Sequence, residues 1–301
     1  MTAAKVAVKQ MAQKILPEKT YRRLADKLRG NAEQQDPTLS LRQAIEKDTL
    51  SDESLLNLKN TIEIKRRMDY GPHDIYLHVD SLTEFETRLH SCAKEPDTVE
   101  WVETFMKPGD TFYDIGANVG AYSLIAAKAF HGAVKVFAFE PAFLNFSQLC
   151  RNVFLNDCQD SITPLSIALS DKTSLDSFNY HDLIPGGSLH TLGEAIDYKG
   201  DRFKPVFKQA MLSFTTDDLI AQFALPTPTH IKIDVDGIEL SILKGAELTL
   251  SDKTLRSIVV ELEEGQSEEQ INSLLFQKGF RLHARYGRRT AGMFNCIFVR
   301  P

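Results

Sequence analysis

The sequence has few cysteines and no long apolar run. Its four cysteines are scattered along 301 residues, and no two of them form a Cys-x-x-Cys pair. A disulfide framework and a zinc site are therefore not expected. No apolar run reaches the ~18 residues that a membrane-spanning helix needs, and the first residues lack the apolar core of a secretory signal. These absences predict a cytoplasmic protein with reduced, structural thiols.

An overall excess of positive charge is also missing. The formal net charge is −6 at pH 7, whereas binding to a phosphate backbone requires a basic face. Nucleic acid is therefore not expected as the main partner. Hydrophobic residues make up 43% of the chain and charged residues 25%, so the chain can bury a core of ordinary size.

Positive charge is concentrated in the first 30 residues. Eight lysines and arginines stand there against Glu18 and Asp26, and apolar residues recur at loosely helical spacing. A basic amphipathic helix can lie on an anionic membrane surface. It can equally be a solvated helix that packs on the rest of the protein. The segment thus leaves open a peripheral contact with the inner membrane surface.

The strongest signal in the chain is a stretch of small residues between an apolar run and an alanine-rich run. It reads Thr111-Phe-Tyr-Asp114-Ile-Gly116-Ala117-Asn118-Val-Gly120-Ala-Tyr-Ser123. This pattern predicts a strand, a tight turn and a helix. Glycines at 116 and 120 can take positive φ and leave room for a ligand on the backbone. Because the helix directs free N–H groups to the same place, we expect a polar cofactor there.

An acidic residue follows the next apolar run. The run over 134–139 ends at Glu140, roughly twenty residues past Gly120, where a doubly wound fold places its ribose-binding carboxylate. Asn118 stands where the middle glycine of a Gly-x-Gly-x-x-Gly turn would let a pyrophosphate approach. The sequence therefore favours an adenosyl ligand without phosphates over a dinucleotide.

A third signal is an alternating run that ends in acidic residues and a glycine. Residues 230–235 predict a central strand, and Asp234, Asp236 and Gly237 stand at its end. Ligands of open α/β sheets bind beyond the carboxyl ends of such strands, so we expect Asp234 beside the cofactor. Asp236 has two interpretations. It can be a site residue, or it can form a capping box with Glu239 for a helix over 238–250.

Three motifs in this order resemble the signatures of the FkbM-type family of S-adenosylmethionine-dependent methyltransferases. They are Asp114–Gly120, Phe139-Glu140-Pro141 and Ile231–Gly237. The resemblance implies an α/β, Rossmann-like class I methyltransferase fold, with a mixed sheet of about seven strands, helices on both faces and an antiparallel C-terminal hairpin. It also implies a helical extension over 1–94 and an S-adenosylmethionine-binding methyltransferase domain over 95–301.

The same resemblance implies O-methyl transfer from S-adenosylmethionine to a small-molecule or glycan acceptor. The accepting group would be a hydroxyl of a sugar, a glycan or glycolipid precursor, or a polyketide-like metabolite. The expected cofactor-binding residues are Asp114, Gly116, Ala117, Asn118, Gly120, Ser123, Glu140, Pro141, Asp171 and Asp234. The expected catalytic residues are Asp234, Lys232, Asp236 and His190. A carboxylate or a histidine would act as general base, and Lys232 would steer the acceptor. Asp171 can equally be a simple turn residue.

Several further groups have two interpretations each. The connection over 171–209 is long and irregular in pattern, which is typical of a lid or binding loop. His181 on this connection can take a proton or be an exposed bystander. The arginines at 285, 288 and 289 can bind an anionic substrate group or form a solvated face. A divalent metal on Asp234, Asp236 and Glu261 or Glu263 could also activate an alcohol, although no ligand spacing in the sequence points to a metal.

Two other functions share part of this pattern. A nicotinamide-dependent dehydrogenase would use the glycine turn and Glu140, but Asn118 and the lack of a Tyr-x-x-x-Lys pair argue against it. A non-catalytic scaffold on the same fold would be expected to have lost some of the three motifs. All three are present.

Overall fold

The chain divides into two compact units, Met1–Ile64 and Lys65–Pro301. The computed structural model describes residues 38–301 except 198–199 and 289–291. The basic segment over 1–30 and Arg289 lie outside the described residues. The second unit begins ahead of the boundary that we predict between 94 and 95, and the division into an extension and a methyltransferase domain stays a prediction.

The described part of the first unit contains two helices, α1 (Leu39–Glu46) and α2 (Asp52–Thr61). The Ser51 side chain accepts the N–H of Ser54 at 3.3 Å and so caps α2, and two acidic residues in the first turn complement the helix dipole. Among the described residues of the whole chain, no helix has both the length and the apolar character that crossing a bilayer requires.

The second unit combines strands and helices in alternation. Its strands are β1 (Lys65–Arg67), β2 (Tyr76–His78), β3 (Thr111–Ile115), β4 (Lys135–Phe139), β5 (Ile162–Leu165), β6 (Ala168–Leu169), β7 (Ser174–Tyr180), β8 (Thr191–Leu192), β9 (Phe207–Phe214), β10 (His230–Ile233), β11 (Ser257–Glu263), β12 (Arg281–Gly287) and β13 (Met293–Val299). Its helices are α3 (Leu82–Glu86), α4 (Ser91–Lys94), α5 (Pro96–Phe105), α6 (Ala121–Ala129), α7 (Phe143–Leu155), α8 (Thr216–Phe223), α9 (Glu239–Lys244), α10 (Glu247–Ser251) and α11 (Gln266–Gln277).

The main sheet has seven strands in the order β12-β13-β11-β10-β3-β4-β5. The neighbours from β11 to β5 pair in parallel, whereas β13 pairs antiparallel with β11 and β12. The predicted Rossmann-like mixed sheet with an antiparallel C-terminal hairpin is thus confirmed. The chain leaves β3 toward β4 on one side and later returns to β10 on the other. This reversal creates a crevice at the carboxyl ends of β3 and β10, where ligands of such sheets bind.

Each face of the sheet is covered by helices. On one face, Trp101, Leu124 and Leu149 are fully buried and bring α5, α6 and α7 onto the sheet. On the other, Leu243 and Leu275 belong to the core that packs α9 and α11. Burying a side chain of this size contributes about 1.5–3 kcal/mol. The two cores hold the carboxyl ends of the central strands in a fixed arrangement.

The prediction of an irregular loop over 171–209 is wrong in part. β7 and β9 pair antiparallel along their length and, with β6 and β8, form a second sheet of four strands in the order β6-β9-β7-β8. Apolar side chains explain this pairing, because Phe178, Tyr180 and Met211 form a small buried cluster.

The prediction of a single helix over 238–250 is also wrong. The chain forms α9 and α10, which meet at Gly245. A Cβ on Gly245 would lie 2.0 Å from the carbonyl oxygen of Ser170, so the helices are bent where the chain after β6 passes against them. The predicted capping box is absent as well, since Ile238 is the N-cap of α9 and no side chain caps this end.

Candidate active site

The turn after β3 is held against the chain that follows β10. Gly116 has φ +82°, and a Cβ at this position would lie 2.0 Å from the carbonyl oxygen of Asp234. Gly120 has φ +89°, and a Cβ there would lie 2.5 Å from Leu149 Cδ1. Both positions therefore require glycine, for its conformation and for its missing side chain. Two motifs that are far apart in the sequence meet backbone to backbone.

Asp114 and Ser123 support the turn from below. Asp114 is fully buried at the end of β3, and its Oδ2 accepts the Ser123 hydroxyl at 2.6 Å. Its Oδ1 has no hydrogen-bond partner among the described residues. Burial raises the pKa of Asp114, while Lys232 and Ser123 act to lower it. Neither Asp114 nor Ser123 lines the cavity above the turn, so both act on a ligand only through the turn.

Glu140 is buried at the end of β4, beside the turn. Its Oε2 accepts the backbone N–H of Asn118 and its Oε1 that of Ala142, each at 2.8 Å. Burial raises the pKa of Glu140 to about 7, although these two N–H groups act to lower it. A carboxylate has about four acceptor positions on its two oxygens. Both oxygens can therefore accept a further hydrogen bond from a ligand.

A cavity of about 180 Å³ opens above the turn. The predicted site residues that line it are Gly116, Ala117, Asn118, Glu140, Pro141, His190, Lys232, Asp234 and Asp236. Its apolar wall includes Phe139, Ile167 and Leu169. Asp171 is exposed and does not line the cavity; its hydrogen bond is to the neighbouring Ser170 hydroxyl at 3.3 Å. The cavity thus brings together residues from all three motifs.

A buried ion pair lies at the bottom of this cavity. Lys232 Nζ donates to Asp234 Oδ2 at 2.8 Å, and the lysine side chain is 2% exposed. Burial acts to lower the pKa of Lys232, but the carboxylates of Asp234, Asp114 and Glu95 outweigh it and raise this pKa. Burial likewise acts to raise the pKa of Asp234, and Lys232 with other cations holds it well below its usual range. Asp234 is therefore always ionised at neutral pH and is a weak base.

Asp236 has different properties, although it is only two residues away. It is half-buried, and its Oδ2 accepts the N–H of Leu189 rather than that of a helix terminus. Burial raises the pKa of Asp236 to about 6; Asp234 raises it further, while the Leu189 N–H, Arg88 and Lys94 lower it. A carboxylate with this pKa is suited to accept a proton near neutral pH.

The glycine turn, the buried acid and the end of β10 all lie within the match to a known protein family. The family model for the methyltransferase FkbM domain matches residues 114–282, from the acid of the first motif to β12. The chain belongs to the FkbM methyltransferase family.

Curated relatives agree with this assignment. Methyltransferase sdnD of Sordaria araneosa is 28% identical over 208 residues, which cover 62% of this chain and 80% of that protein. Hexuronic acid methyltransferase AglP of Haloferax volcanii is 24% identical over 62% of this chain and 70% of its own length. The 31-O-demethyl-FK506 methyltransferase FkbM of Streptomyces tacrolimicus is 25% identical over 62% of this chain and 84% of its own length. The predicted family is confirmed, and with it methyltransferase activity.

One segment of this FkbM methyltransferase covers the glycine turn. Residues 185–190, here called the strap, are fixed through their carbonyl groups. The carbonyl of Gly186 accepts Arg88 Nη2 at 2.7 Å, and that of Gly187 accepts Asn118 Nδ2 at 2.9 Å and Asn145 Nδ2 at 3.0 Å. Gly186 and Gly187 therefore lie at the points where the strap is held.

The two histidines near the strap differ in position. His190 lines the cavity, packs on Tyr180 with ring centroids 5.0 Å apart, and accepts the N–H of His181 at Nδ1. Burial lowers the pKa of His190, so the imidazole is neutral at pH 7. The His181 side chain is exposed and does not line the cavity. Of the two, only His190 is placed to contact a ligand.

A buried charge network borders the site, and the sequence alone does not predict it. Arg288 is 7% exposed and joins Glu95 to Glu261, with its Nε donating to Glu261 Oε1 at 2.9 Å. Lys94 Nζ donates to Glu95 at 2.9 Å. Arg288 is thus paired within the protein, whereas Arg285 pairs with Glu268 at 3.4 Å. No local pattern marks this network, because its members come from α4, β11 and the C-terminal hairpin.

The carboxylates of the site do not form a metal-binding set. In the part of the chain that the structure describes, no group of three or more histidine, cysteine, aspartate and glutamate side chains is arranged to hold a metal ion. Asp234 is instead neutralised by Lys232, and Glu261 by Arg288. The described geometry thus offers these carboxylates protein cations as partners.

Proposed function

We propose that the chain transfers the methyl group of S-adenosylmethionine to a hydroxyl oxygen of its acceptor. The observation that carries the proposal is Glu140, a buried carboxylate fixed by two backbone N–H groups at the edge of a glycine turn. Such a carboxylate can accept both hydroxyls of a ribose. The names of two relatives support a hydroxyl-bearing acceptor, since one is a hexuronic acid methyltransferase and the other acts on 31-O-demethyl-FK506.

The residues of the cavity fit an adenosyl cofactor. Glu140 would hold the ribose hydroxyls, and the apolar wall with Phe139 and Ile167 would contact the adenine. Asn118 Oδ1 is buried without a hydrogen-bond partner among the described residues, so it can accept from a donor group of the cofactor. When bound, S-adenosylmethionine supplies an electrophilic methyl group on a positively charged sulfur.

The protein's part in the reaction is alignment and removal of a proton. When the acceptor oxygen is held in line with the methyl group, a bimolecular reaction becomes an effectively unimolecular one. An alcohol must also lose its proton, and Asp236 lines the cavity with a pKa close to neutrality. We therefore assign the general base to Asp236. Asp234, paired with Lys232, lines the same cavity and would keep one carboxylate beside the bound cofactor.

Glu140→Gln is expected to weaken binding of S-adenosylhomocysteine about 10- to 100-fold, because charge-assisted hydrogen bonds contribute ~1.5–3 kcal/mol. The amide would also place an NH2 donor against one of the two backbone N–H groups, because these point at different oxygens of Glu140. Calorimetric titration at pH 8, where the Glu140 carboxyl is largely ionised, measures this loss. Glu247→Gln is the matched control, because Glu247 is exposed and lies outside the cavity.

The same titration tests the rival functions. S-adenosylmethionine and S-adenosylhomocysteine should bind the wild-type protein, and NAD should give no heat. Binding of NAD alone would favour a dehydrogenase. An absence of binding by all three ligands would favour a scaffold without a cofactor.

Asp236→Asn is expected to lower kcat/KM by about 10²-fold or more, which is the usual contribution of a general base. In the wild-type protein the rate should fall tenfold per pH unit below about pH 6, because protonated Asp236 cannot accept the hydroxyl proton. The variant should lose this acidic limb. The measurement is a pH profile at saturating S-adenosylmethionine, so that protonation of Glu140 does not add its own limb, with the best acceptor from a screen of sugar and lipid hydroxyls and with Asp160→Asn as an exposed control. A variant that is slow at every pH but keeps the limb would show that Asp236 only positions the strap.

A further inference from the structure

Three lysine and arginine side chains line the cavity above the glycine turn in the part of the chain that the structure describes, namely Arg88, Lys94 and Lys232. Two of them are engaged, because Lys94 Nζ donates to Glu95 at 2.9 Å and Lys232 Nζ donates to Asp234 at 2.8 Å. Arg88 takes part in no ion pair with any described residue. Of these three cations, Arg88 is therefore the one whose charge is available to a ligand.

The guanidinium group of Arg88 is nevertheless held in place. Its Nε and Nη2 donate to the carbonyl oxygen of Gly186 in the strap, at 3.0 Å and 2.7 Å. Both hydrogen bonds use the same edge of the planar group. The next edge, formed by Nη1 and the outer N–H of Nη2, meets no acceptor among the described residues. Two N–H groups along one edge of a guanidinium match the two oxygens of a carboxylate.

The backbone that carries Arg88 is fixed by contacts of its own. Ser81 and Glu84 form a capping box at the start of α3, and the Glu84 carboxylate also accepts Gln148 Nε2 of α7 at 2.8 Å. After α3, the carbonyl of Arg88 accepts the Ser91 hydroxyl at 2.8 Å. None of these contacts involves the guanidinium group, so a substitution of the Arg88 side chain leaves them in place.

Arg88 is close enough to act on both carboxyl groups to which the proposed function gives a role. Burial raises the pKa of Glu140 and that of Asp236, and the charge of Arg88 acts to lower both values. Glu140 would hold the ribose, and Asp236 would take the proton of the acceptor. In S-adenosylmethionine, the amino-acid chain joins the ribose through the sulfur that bears the reacting methyl group. A cation that acts on both carboxyl groups is therefore placed to meet a group on this chain.

The amino-acid chain of the cofactor ends in an ammonium group and a carboxylate. The carboxylate is the one anionic group of the cofactor at neutral pH. A carboxylate that leaves water for a partly buried site needs a cation and hydrogen-bond donors to offset its lost hydration. Lys94 and Lys232 already neutralise carboxylates of the protein, whereas Arg88 offers both a charge and a free pair of donors.

We infer that Arg88 binds the α-carboxylate of the bound cofactor through the free edge of its guanidinium group. The inference rests on the proposed function and adds to it the residue that recognises the amino-acid end of S-adenosylmethionine. The family match begins at residue 114 and therefore assigns no role to Arg88. A residue of the segment over 1–94, which we predict to be an extension, thus forms part of the cofactor site.

The test compares two ligands on the full-length protein by calorimetric titration at pH 8. One is S-adenosylhomocysteine, and the other is its decarboxylated form, which lacks the α-carboxylate but keeps the ammonium group. The wild-type protein should bind S-adenosylhomocysteine about tenfold more tightly or better, because hydrogen bonds to a charged group contribute that much. Arg88→Gln should reduce this preference to less than about threefold by removing the charge. Arg88→Lys should restore part of the preference, since it keeps the charge without the paired donors.

Two further variants identify the cation that is responsible. Arg281→Gln is the matched control, because Arg281 is exposed and does not line the cavity. It should keep the preference of the wild-type protein. Lys94→Gln should keep it as well, since Lys94 is paired with Glu95. If Lys94→Gln removed the preference and Arg88→Gln did not, the carboxylate would belong to Lys94 and the inference would be overturned.

The pair of ligands also separates recognition of the carboxylate from a purely structural role. If Arg88 only held the strap, Arg88→Gln would weaken the binding of both ligands by the same factor. The preference would then survive in the variant, and the inference would be overturned. Equal binding of the two ligands to the wild-type protein would overturn it too. Titration of the wild-type protein with S-adenosylhomocysteine comes first, because an absence of binding would sink the proposed function as well. Binding with either of the other results would sink the role of Arg88 alone.

Discussion

Lys232→Met is expected to lower the free energy of unfolding by about 3–5 kcal/mol, which is the usual cost of removing one partner from a buried charge pair. Lys232 stands opposite Asp114 in the register of β3 and β10 and donates to Asp234. The Asp114 carboxylate is fully buried, and one of its oxygens already has no partner among the described residues. Without the ammonium group, the buried Asp114 and the partly buried Asp234 would lose the cation that acts on both of them.

Urea denaturation followed by circular dichroism measures this loss, and a double-mutant cycle identifies its cause. The second member is Asp234→Asn, and the double variant should recover part of the lost stability because one uncompensated charge is gone. Lys172→Met with Asp176→Asn is the control cycle. That pair is 3.6 Å apart, and its lysine is 65% exposed, so it should contribute less than ~1 kcal/mol. Equal losses in the two cycles would show that burial gives the Lys232–Asp234 pair no larger contribution to stability than an exposed pair has.

The part of the cavity around the glycine turn could be predicted from sequence because each of its parts is local. Gly116, Glu140 and Asp234 each stand at the end of an apolar run, and the carboxyl ends of parallel strands meet at one edge of a sheet. Whether two such ends touch depends on strand register. The sequence does not specify that register, and the structure shows it in the contact between Gly116 and the Asp234 carbonyl.

The charge network that borders the cavity could not be predicted in the same way. Glu95, Glu261 and Arg288 are brought together from three distant elements, and each looks like an ordinary surface charge in its own segment. For Asp236 a local pattern is present, but a contact with a distant residue replaces the one that the pattern predicts. Its local pattern fits a capping box. In the structure, however, its carboxylate accepts the N–H of Leu189, which lies more than forty residues earlier in the chain.

The small second sheet was missed for a different reason, because its signal is present in the sequence. Residues 174–180 and 207–214 carry β-forming residues, and the inward-facing Phe178, Tyr180 and Met211 are apolar. Pro185 and the glycines after it made the whole interval look like one loop. Such residues mark where a connection turns, and the strands on either side of it have to be judged separately.

Gly116→Ala is expected to destabilise the protein by about 2–5 kcal/mol and to abolish cofactor binding. A left-handed φ costs a residue with a Cβ about 1–2 kcal/mol, and overpacking against fixed neighbours adds about 1–3 kcal/mol. The added Cβ would lie 2.0 Å from the carbonyl oxygen of Asp234. A backbone atom cannot swing aside as a side chain can, so β3 and β10 would have to separate at the edge where Glu140 and Asp236 are positioned.

Gly109→Ala separates the two contributions to this loss. Gly109 has φ +92°, close to that of Gly116, but a Cβ there would meet no atom within 4 Å. Its substitution should therefore cost only the ~1–2 kcal/mol of backbone strain and leave the affinity for S-adenosylhomocysteine unchanged. Urea denaturation and calorimetric titration of both variants give the comparison. Equal losses of stability would mean that the turn can move away from β10. The contact between the first and third motifs would then not be what sets the geometry of the site.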